Sequence, residues 1–308
     1  MIELSMQPRT IPVPWKVFRT TAVPFSLAID GFVPEGPEFD PTIPVMNLNH
    51  HDGVKRIETR ATCAQVEMRL VLKLFRTFSD KHDPRMIVCA NDCDEDVCTS
   101  WFQLKHHALC SQVFNPLLHR LVSIEDKMDT TAGAYPYPAG VAVLEELAWV
   151  FEPYRRFRMS GELDKREADA FVAVVMDVEH RIMQHITGRG GRLALDTRFE
   201  RVRAGTGWTM VREHGAQARQ GVFGSGIEAF VAVRERPDSR FVYTFGRLSD
   251  TIPFPLMRFI SRLNQEEGCT LDRWGGGDIV MGSPRVGGST INPDKLFAVV
   301  EDELKENA

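Results

Sequence analysis

Two apolar segments, each followed directly by a polar cluster, constrain the fold of this chain most. Ile43 to Leu48 is predicted to be a buried strand and leads into Asn49-His50-His51-Asp52. Met86 to Ala90 is predicted to be a second buried strand and leads into Asn91-Asp92-Cys93-Asp94-Glu95-Asp96. A helical pattern follows each cluster, and strands that alternate with helices indicate a mostly parallel sheet flanked by helices. Open sheets of this kind place their ligands beyond the carboxyl ends of the strands, where both clusters fall.

The pattern along the chain predicts an α/β protein with three parts. Residues 1–140 are predicted to form an N-terminal metal-binding domain, 141–190 a helical connector, and 191–308 a smaller α/β C-terminal domain. The proline-rich segment 1–45 can hold short strands but no long helix. Apolar residues at helical spacing predict helices over 62–78, 97–104, 141–157, 165–187 and 255–267. β-Branched and aromatic residues predict strands over 208–212, 229–233 and 241–245, with a hairpin loop over 234–240.

Charge and composition narrow the class of function. The chain has 308 residues, 43% hydrophobic and 26% charged, so it can bury a substantial core. Its net charge of -5 and pI of about 6.0 argue against a broad electrostatic grip on long duplex nucleic acid. The six cysteines include no CxxC pair, so reduced thiols are expected. No segment is apolar for long enough to be a secretory signal or a membrane span, so we expect a cytoplasmic protein without a membrane partner; a homodimer is left open.

The acidic cluster is the strongest chemical signal. Asp92, Asp94 and Asp96 alternate, so on an extended backbone their carboxylates would point to one side and would repel one another unless cations lay between them. His50 and His51 follow the other apolar strand and would add imidazole. Imidazole and carboxylate together suit a pair of divalent metal ions. A solvated acidic loop with two surface or core histidines is the alternative.

A third acidic group follows the apolar run 117–124 and consists of Glu125, Asp126 and Asp129. These side chains offer further carboxylates for a cation. Helix capping and surface charge are the alternative explanation for them.

A glycine-rich segment near the C-terminus is the remaining signal. It runs Trp274-Gly275-Gly276-Gly277-Asp278 and then Gly282-Ser283-Pro284-Arg285-Val286-Gly287-Gly288-Ser289. Glycines let backbone amides approach a phosphate closely, and Arg285 can offer it a bidentate guanidinium, so the segment predicts an anion-binding cradle. Tight turns between strands are the alternative. The Walker lysine pattern and the Rossmann GxGxxG are both missing, which argues against nucleoside triphosphate and dinucleotide cofactors.

Taken together, these segments resemble the DHH phosphoesterase superfamily over about residues 40–291. Asn49-His50-His51 is similar to the triplet that names the family, and Arg60-Ala61-Thr62-Cys63-Ala64-Gln65-Val66 is similar to the helix start that follows it. The intervals of the family's HxDxDxxxS motif are matched by Asp92, Asp94, Asp96 and Ser100, and the C-terminal segment resembles its GGGHxxAAG module. Asparagine stands at position 49 where the family has aspartate, and Asp92 stands where it has histidine. In place of the family's C-terminal histidine region stand Asp278 and Ser283-Pro284-Arg285, and the triplet and the acidic motif come in the reverse order.

The resemblance implies a two-metal hydrolase of phosphodiester or phosphoanhydride bonds. The implied cofactor is a pair of Mn²⁺ ions, or Mg²⁺ or Zn²⁺ in their place, held by His51, Asp92, Asp94, Asp96, Asp126 and Asp129. The implied catalytic residues are His50, His51 and Asp94, with His50 as a ligand or as a proton donor to the leaving group. The substrate phosphate would be held by Ser283, Arg285, Gly287, Gly288 and Arg60.

Three functions follow as hypotheses. The first is a metal-dependent phosphoesterase that acts on a small phosphorylated molecule or a short oligonucleotide, since an acidic surface would repel long nucleic acid. The second is a catalytically silent nucleotide-binding or regulatory protein derived from the same fold, which the departures at Asn49 and Asp92 favour. The third is a metal hydrolase of amide or ester bonds, against which the glycine and arginine segment argues.

Overall fold

The computed structural model describes residues 1–111, 114–137 and 141–306 and shows the α/β fold that the sequence predicts. The chain divides into two compact units. Unit 1 consists of Met1–Val54, Glu58–Thr130 and Pro138–Ala194, and unit 2 of Lys55–Ile57, Thr131–Tyr137 and Leu195–Ala308. The predicted boundary after residue 140 falls at 138–140, outside the described residues. Among the described residues, no helix combines the length and the apolar character that crossing a membrane requires.

Unit 1 is built on a five-stranded sheet. Its elements in chain order are β1 (Ile2–Met6), α1 (Trp15–Thr21), β2 (Ser26–Ile29), β3 (Glu38–Asp40), β4 (Val45–Leu48), α2 (Thr62–Val71), β5 (Ser79–Asp80), β6 (Asp83–Pro84), β7 (Met86–Ala90), α3 (Glu95–Lys105), α4 (His107–Ser111), α5 (Pro116–Thr130), α6 (Ala142–Val150), α7 (Glu152–Met159) and α8 (Ala168–Ile186). The sheet order is β1-β7-β2-β4-β3, and β5 and β6 form a separate two-stranded ribbon. The first four strands of the sheet run parallel and β3 runs antiparallel to β4. The predicted mostly parallel sheet is therefore confirmed.

Burial explains why the central strands form. Every residue of β2 and β4 is buried, which is typical of parallel strands covered on both faces. The predicted strand Met86–Ala90 is confirmed residue for residue as β7, and the strand predicted from Ile43 begins at Val45.

The helices of unit 1 differ from prediction at two places. The single helix predicted over 62–78 is wrong, because α2 ends at Val71 and Lys73 then adopts a left-handed conformation with φ of 71°. The helix predicted over 141–157 is two helices that meet at Phe151. The helix predicted over 165–187 is confirmed as α8. Helices α6 to α8, the predicted connector, belong to unit 1 in their described residues.

Unit 2 is built on a six-stranded mixed sheet. Its elements are β8 (Phe199–Ala204), β9 (Thr209–Glu213), α9 (Ala218–Gly224), β10 (Ala229–Glu235), β11 (Phe241–Arg247), α10 (Leu256–Glu267), β12 (Gly275–Gly276), β13 (Val280–Gly282) and α11 (Pro293–Lys305). The sheet order is β12-β13-β11-β10-β9-β8. The predicted hairpin is confirmed as β10 and β11, which pair antiparallel from Ala229 opposite Arg247 to Glu235 opposite Phe241. Helix α10 ends where predicted, because Gly268 adopts the left-handed conformation that ends helices.

Candidate metal centre

Three adjacent strands of unit 1 bring the polar side chains of the candidate metal centre to one edge of the sheet. The strands β7, β2 and β4 are neighbours in that order and run parallel, so their carboxyl ends coincide. Asp30 follows β2, His50 and His51 follow β4, and Asp94 lies in the loop after β7. Helix α5 adds Asp129. The sheet therefore gathers side chains that are far apart in the sequence.

Asp30 pairs with both histidines. Its Oδ1 lies 2.6 Å from Nε2 of His51 and 3.5 Å from Nε2 of His50. Asp30 is 2% exposed and His50 is 0% exposed. Burial by itself raises the pKa of Asp30, but His51 and His50 outweigh it and hold the pKa well below its usual value. The two histidines therefore favour the ionised form of the Asp30 carboxylate.

His50 also belongs to a second group of side chains. Its Nε2 lies 2.7 Å from Oδ2 of Asp129 and 3.5 Å from Oδ2 of Asp96. Within each group, Asp30-His50-His51 and His50-Asp96-Asp129, the ligand atoms lie within 4.8 Å of one another. Metal bonds to nitrogen or oxygen are about 2.0–2.2 Å long, so this spacing is close to what one cation needs.

Asp96 is fixed in place by the start of helix α2. Its Oδ2 accepts a hydrogen bond from the Thr62 amide at 2.7 Å, and its Oδ1 accepts one from the Cys63 amide at 2.6 Å. These amides are donors that the helix itself leaves unsatisfied. Burial, followed by the charges of Asp30 and Asp129, raises the pKa of Asp96 to about 7 against the opposing effect of His50. A cation beside Asp96 would remove this repulsion.

The prediction that Asp92, Asp94 and Asp96 lie on an extended backbone is wrong. Asp94 is the N-cap of α3, where its Oδ1 accepts a hydrogen bond from the Val97 amide, and Asp96 already lies in the first turn of that helix. Burial raises the pKa of Asp94 well above its usual value, and Asp30, Asp92, Asp129 and Asp96 add to the effect. The carboxylates are nevertheless close together, because the fold and not the alternation in sequence assembles them.

Three further predicted residues, Asp126, Arg60 and Ser100, lie just before α2 or within α3 and α5. Asp126, predicted as a metal ligand, accepts a hydrogen bond from the Ala61 amide at 2.7 Å, and its other oxygen lies 3.6 Å from Nη1 of Arg60. The side chain of Arg60, predicted to bind substrate, is 62% exposed. Ser100 is buried in α3, and its hydroxyl has no hydrogen-bond partner among the described residues.

The predicted anion cradle belongs to unit 2 and already holds a carboxylate of the protein. The Gly287 amide donates to Oδ2 of Asp272 at 2.6 Å, and the Val286 amide donates to the same carboxylate. The Gly288 amide donates to the Pro284 carbonyl at 3.0 Å. Ser283 accepts a hydrogen bond at its hydroxyl from the amide of Tyr243, at 3.0 Å. The amides of 286 and 287 therefore do present an anion-binding arrangement, and Asp272 is the anion they meet.

Asp30 was missed by the sequence analysis, although a signal for it exists. The apolar segment Ser26–Ile29 is followed by Asp30 and Gly31, which repeats the strand-then-polar pattern of the other two clusters. Both residues have positive φ, 48° for Asp30 and 81° for Gly31, and aspartate and glycine are residues that tolerate this sharp turn.

This arrangement is chemically suited to a cation. Carboxylates that crowd one another in a buried site are costly unless positive charge compensates them. Two further oxygens next to the site, Oδ1 of Asn91 and Oε2 of Glu125, are buried and have no hydrogen-bond partner among the described residues. The buried aspartate and histidine groups could therefore hold a metal ion.

Comparisons with known proteins leave the chain without an assigned family. No family model matches it, and no curated protein matches it significantly.

Proposed function

We propose that the protein is a metal-dependent hydrolase of phosphoester or phosphoanhydride bonds. The observation that carries the proposal is the pair of groups, Asp30-His50-His51 and His50-Asp96-Asp129, whose ligand atoms lie within 4.8 Å of one another. Mixed imidazole and carboxylate donors suit Mn²⁺ or Zn²⁺ better than Ca²⁺, which prefers oxygen alone. Mn²⁺ is the first candidate, in line with the resemblance to DHH phosphoesterases, and Mg²⁺ and Zn²⁺ are the others.

The chain's own residues define the roles at such a site. His50 belongs to both groups, and its Nε2, which lies 3.5 Å from Asp30 and 2.7 Å from Asp129, can bind only one cation at a time. A second cation would therefore depend on His51 and Asp30, with Asp94 as the nearby additional carboxylate. Two divalent cations would supply an activated water and neutralise charge on the phosphoryl oxygens. The hydrogen bonds of Asp96 to α2 and of Asp94 to α3 would keep their carboxylates in position during turnover.

The substrate class follows from charge. The chain carries a net charge of -5, so a small phosphorylated molecule or a short oligonucleotide is favoured over long nucleic acid, which needs an extended basic surface.

The second candidate function is a catalytically silent protein that binds a nucleotide or regulates a partner. The contact between Asp272 and the amides of Val286 and Gly287 favours the regulatory form of this candidate, because an internal carboxylate takes the place that a substrate phosphate or a nucleotide phosphate would need. The two functions differ in turnover and not in metal binding.

The test uses the full chain, stripped of metal with a chelator and then titrated with Mn²⁺. Hydrolysis of bis-p-nitrophenyl phosphate should appear with Mn²⁺ and fall by at least ~100-fold in His50→Gln and Asp30→Asn, the scale of removing a group that acts in the transition state. His119→Gln is the matched control, because His119 is an exposed histidine whose ring contacts Glu67. Mn²⁺ binding without turnover would favour the silent protein, and no binding of Mn²⁺, Zn²⁺ or Mg²⁺ would reject both.

A further inference from the structure

Asn49, which stands where the DHH triplet has aspartate, is held entirely by backbone groups. It is 0% exposed. Its Nδ2 donates to the carbonyls of Pro34 at 2.9 Å and Glu35 at 3.1 Å. Its Oδ1 accepts a hydrogen bond from the His51 amide at 3.1 Å. One side chain therefore ties the segment before β3 to the turn that carries both histidines.

The chemistry of this position requires an amide. The two carbonyl oxygens need a donor, and an ionised carboxylate has no hydrogen to donate. Aspartate at position 49 would place a buried negative charge about 3 Å from two carbonyl oxygens, and a buried polar group left without its partners is costly. It would keep only the bond from the His51 amide.

The main chain of Asn49 is also held. Gln65 of α2 donates from Nε2 to the Asn49 carbonyl at 3.2 Å and to the Arg60 carbonyl at 2.8 Å. The turn between β4 and the histidines is thus fixed from the segment before β3 on one side and from α2 on the other.

We propose that Asn49 is a positioning residue that sets the geometry of His50 and His51 for metal binding, and that asparagine here is a requirement of the fold and not the loss of a metal ligand. This inference rests on the proposed metal-dependent function. Asparagine in place of the family's aspartate therefore does not imply an inactive protein, because the Asn49 amide supports the histidine ligands without binding a cation itself.

Asn47 provides a matched control. It is also 0% exposed, and its Nδ2 donates to the carbonyls of Glu35 at 2.7 Å and Gly36 at 3.0 Å. Its side chain has no hydrogen bond to His50 or His51 among the described residues. Asn47→Asp therefore disturbs the same segment before β3 with a similar buried charge but leaves in place the link that Asn49 makes between this segment and the histidine turn.

The first measurement is Mn²⁺ affinity by isothermal titration of the full chain. Asn49→Asp should weaken binding by about 10–100-fold, the usual effect of losing a residue that orients a metal ligand. Asn49→Ser, which is smaller and keeps a hydroxyl, should lie between wild type and Asn49→Asp, and it decides the question if Asn49→Asp does not fold. Asn47→Asp should keep an affinity near that of wild type. Affinity in the Asn49 variants equal to or tighter than wild type, or an equal loss in Asn47→Asp, would overturn the inference.

The second measurement needs no metal. Hydrogen exchange of the His51 amide in metal-free protein, followed by NMR, should be faster in Asn49→Ala than in wild type and unchanged in Asn47→Asp. Unchanged exchange in Asn49→Ala would overturn the inference. If wild type binds no cation, the proposed function fails, and this measurement still decides whether Asn49 holds the turn.

Discussion

Burial decides the protonation of His185 in the last turn of α8. The residue is 5% exposed, and its Nε2 has no hydrogen-bond partner among the described residues. Burial lowers its pKa below the usual 6.5; Glu146 opposes this shift, and Arg120 adds to it. The folded protein therefore disfavours the charged imidazole.

This shift predicts acid sensitivity. The folded pKa of His185 lies below its unfolded value of about 6.5, so the unfolded chain binds the proton first as pH falls. The contribution of His185 to the free energy of unfolding should decrease as pH falls below about 6.5, opposite in sign to that of Asp96, and His185→Gln should remove this contribution. Urea unfolding at pH 7.5 and 5.5, followed by circular dichroism, measures the change in the free energy of unfolding with pH. His119→Gln, at an exposed histidine, is the control. An unchanged pH dependence in His185→Gln would contradict the prediction.

At the metal centre, single residues carry two tasks at once. Asp96 accepts hydrogen bonds from the first amides of α2 with both carboxylate oxygens, and it also lies near His50. Asp94 caps the start of α3 and also belongs to the carboxylate cluster. Replacing either residue changes the start of a helix as well as the charge of the site, so loss of activity alone cannot assign it as a ligand. His50 and Asp30 follow strands and lie outside the helices, which is why the proposed test uses them.

At the scale of elements, helix α9 contains two glycines with opposite surroundings. A Cβ at Gly221 would lie 2.1 Å from the carbonyl oxygen of Thr197, whereas a Cβ at Gly224 would meet nothing within 4 Å. Alanine stabilises a helix over glycine by up to about 1 kcal/mol where there is room.

The two substitutions should therefore change stability in opposite directions. Gly221→Ala should lower the free energy of unfolding by about 1–3 kcal/mol, because the backbone must move to admit the methyl group. Gly224→Ala should raise it by up to about 1 kcal/mol. Urea denaturation of both variants measures these changes in the free energy of unfolding. A stabilising Gly221→Ala would show that residue 221 and the Thr197 carbonyl are not in tight contact in solution.

Sequence alone predicted the elements whose signal is local. The apolar runs gave β4 and β7, the helical stripe gave α8, and the chain order of strand and helix gave the parallel sheet. The end of α2 at Val71 was not predictable in this way, because the apolar stripe continues beyond the left-handed Lys73.

The site was predicted less completely, because its contacts are long-range. His50, His51 and Asp96 were identified from their clusters, but the bonds from Asp96 to α2 depend on how α2 packs on α3. Asp30 was hidden in a proline-rich segment that was read only as short strands. The contact of Asp272 with Gly287 joins two loops that no local pattern connects.

At the scale of the whole molecule, the candidate ligands all belong to unit 1, whereas the predicted anion cradle belongs to unit 2. Bound Mn²⁺ should therefore slow amide hydrogen exchange in unit 1 more than in unit 2. Hydrogen exchange with mass spectrometry should show slower exchange in segments 26–30, 48–51 and 91–96 with Mn²⁺ present. At 100 times the dissociation constant the protection can reach about 100-fold, or ~2.7 kcal/mol.

The hairpin of β10 and β11 is the internal control for this measurement, because it carries none of the candidate ligands. Equal protection of that hairpin, or no protection of the three segments, would argue against cation binding at the proposed place.

The candidate ligands lie far apart in the sequence, and this affects how a cation changes the folding and unfolding rates. Asp30, His50, Asp96 and Asp129 meet only after β2, β4 and β7 have paired and α5 has packed. An early folding intermediate without the sheet offers a cation no assembled coordination sphere. If the site forms after the rate-limiting step of folding, a bound cation should slow unfolding and leave the refolding rate as it is in chelator.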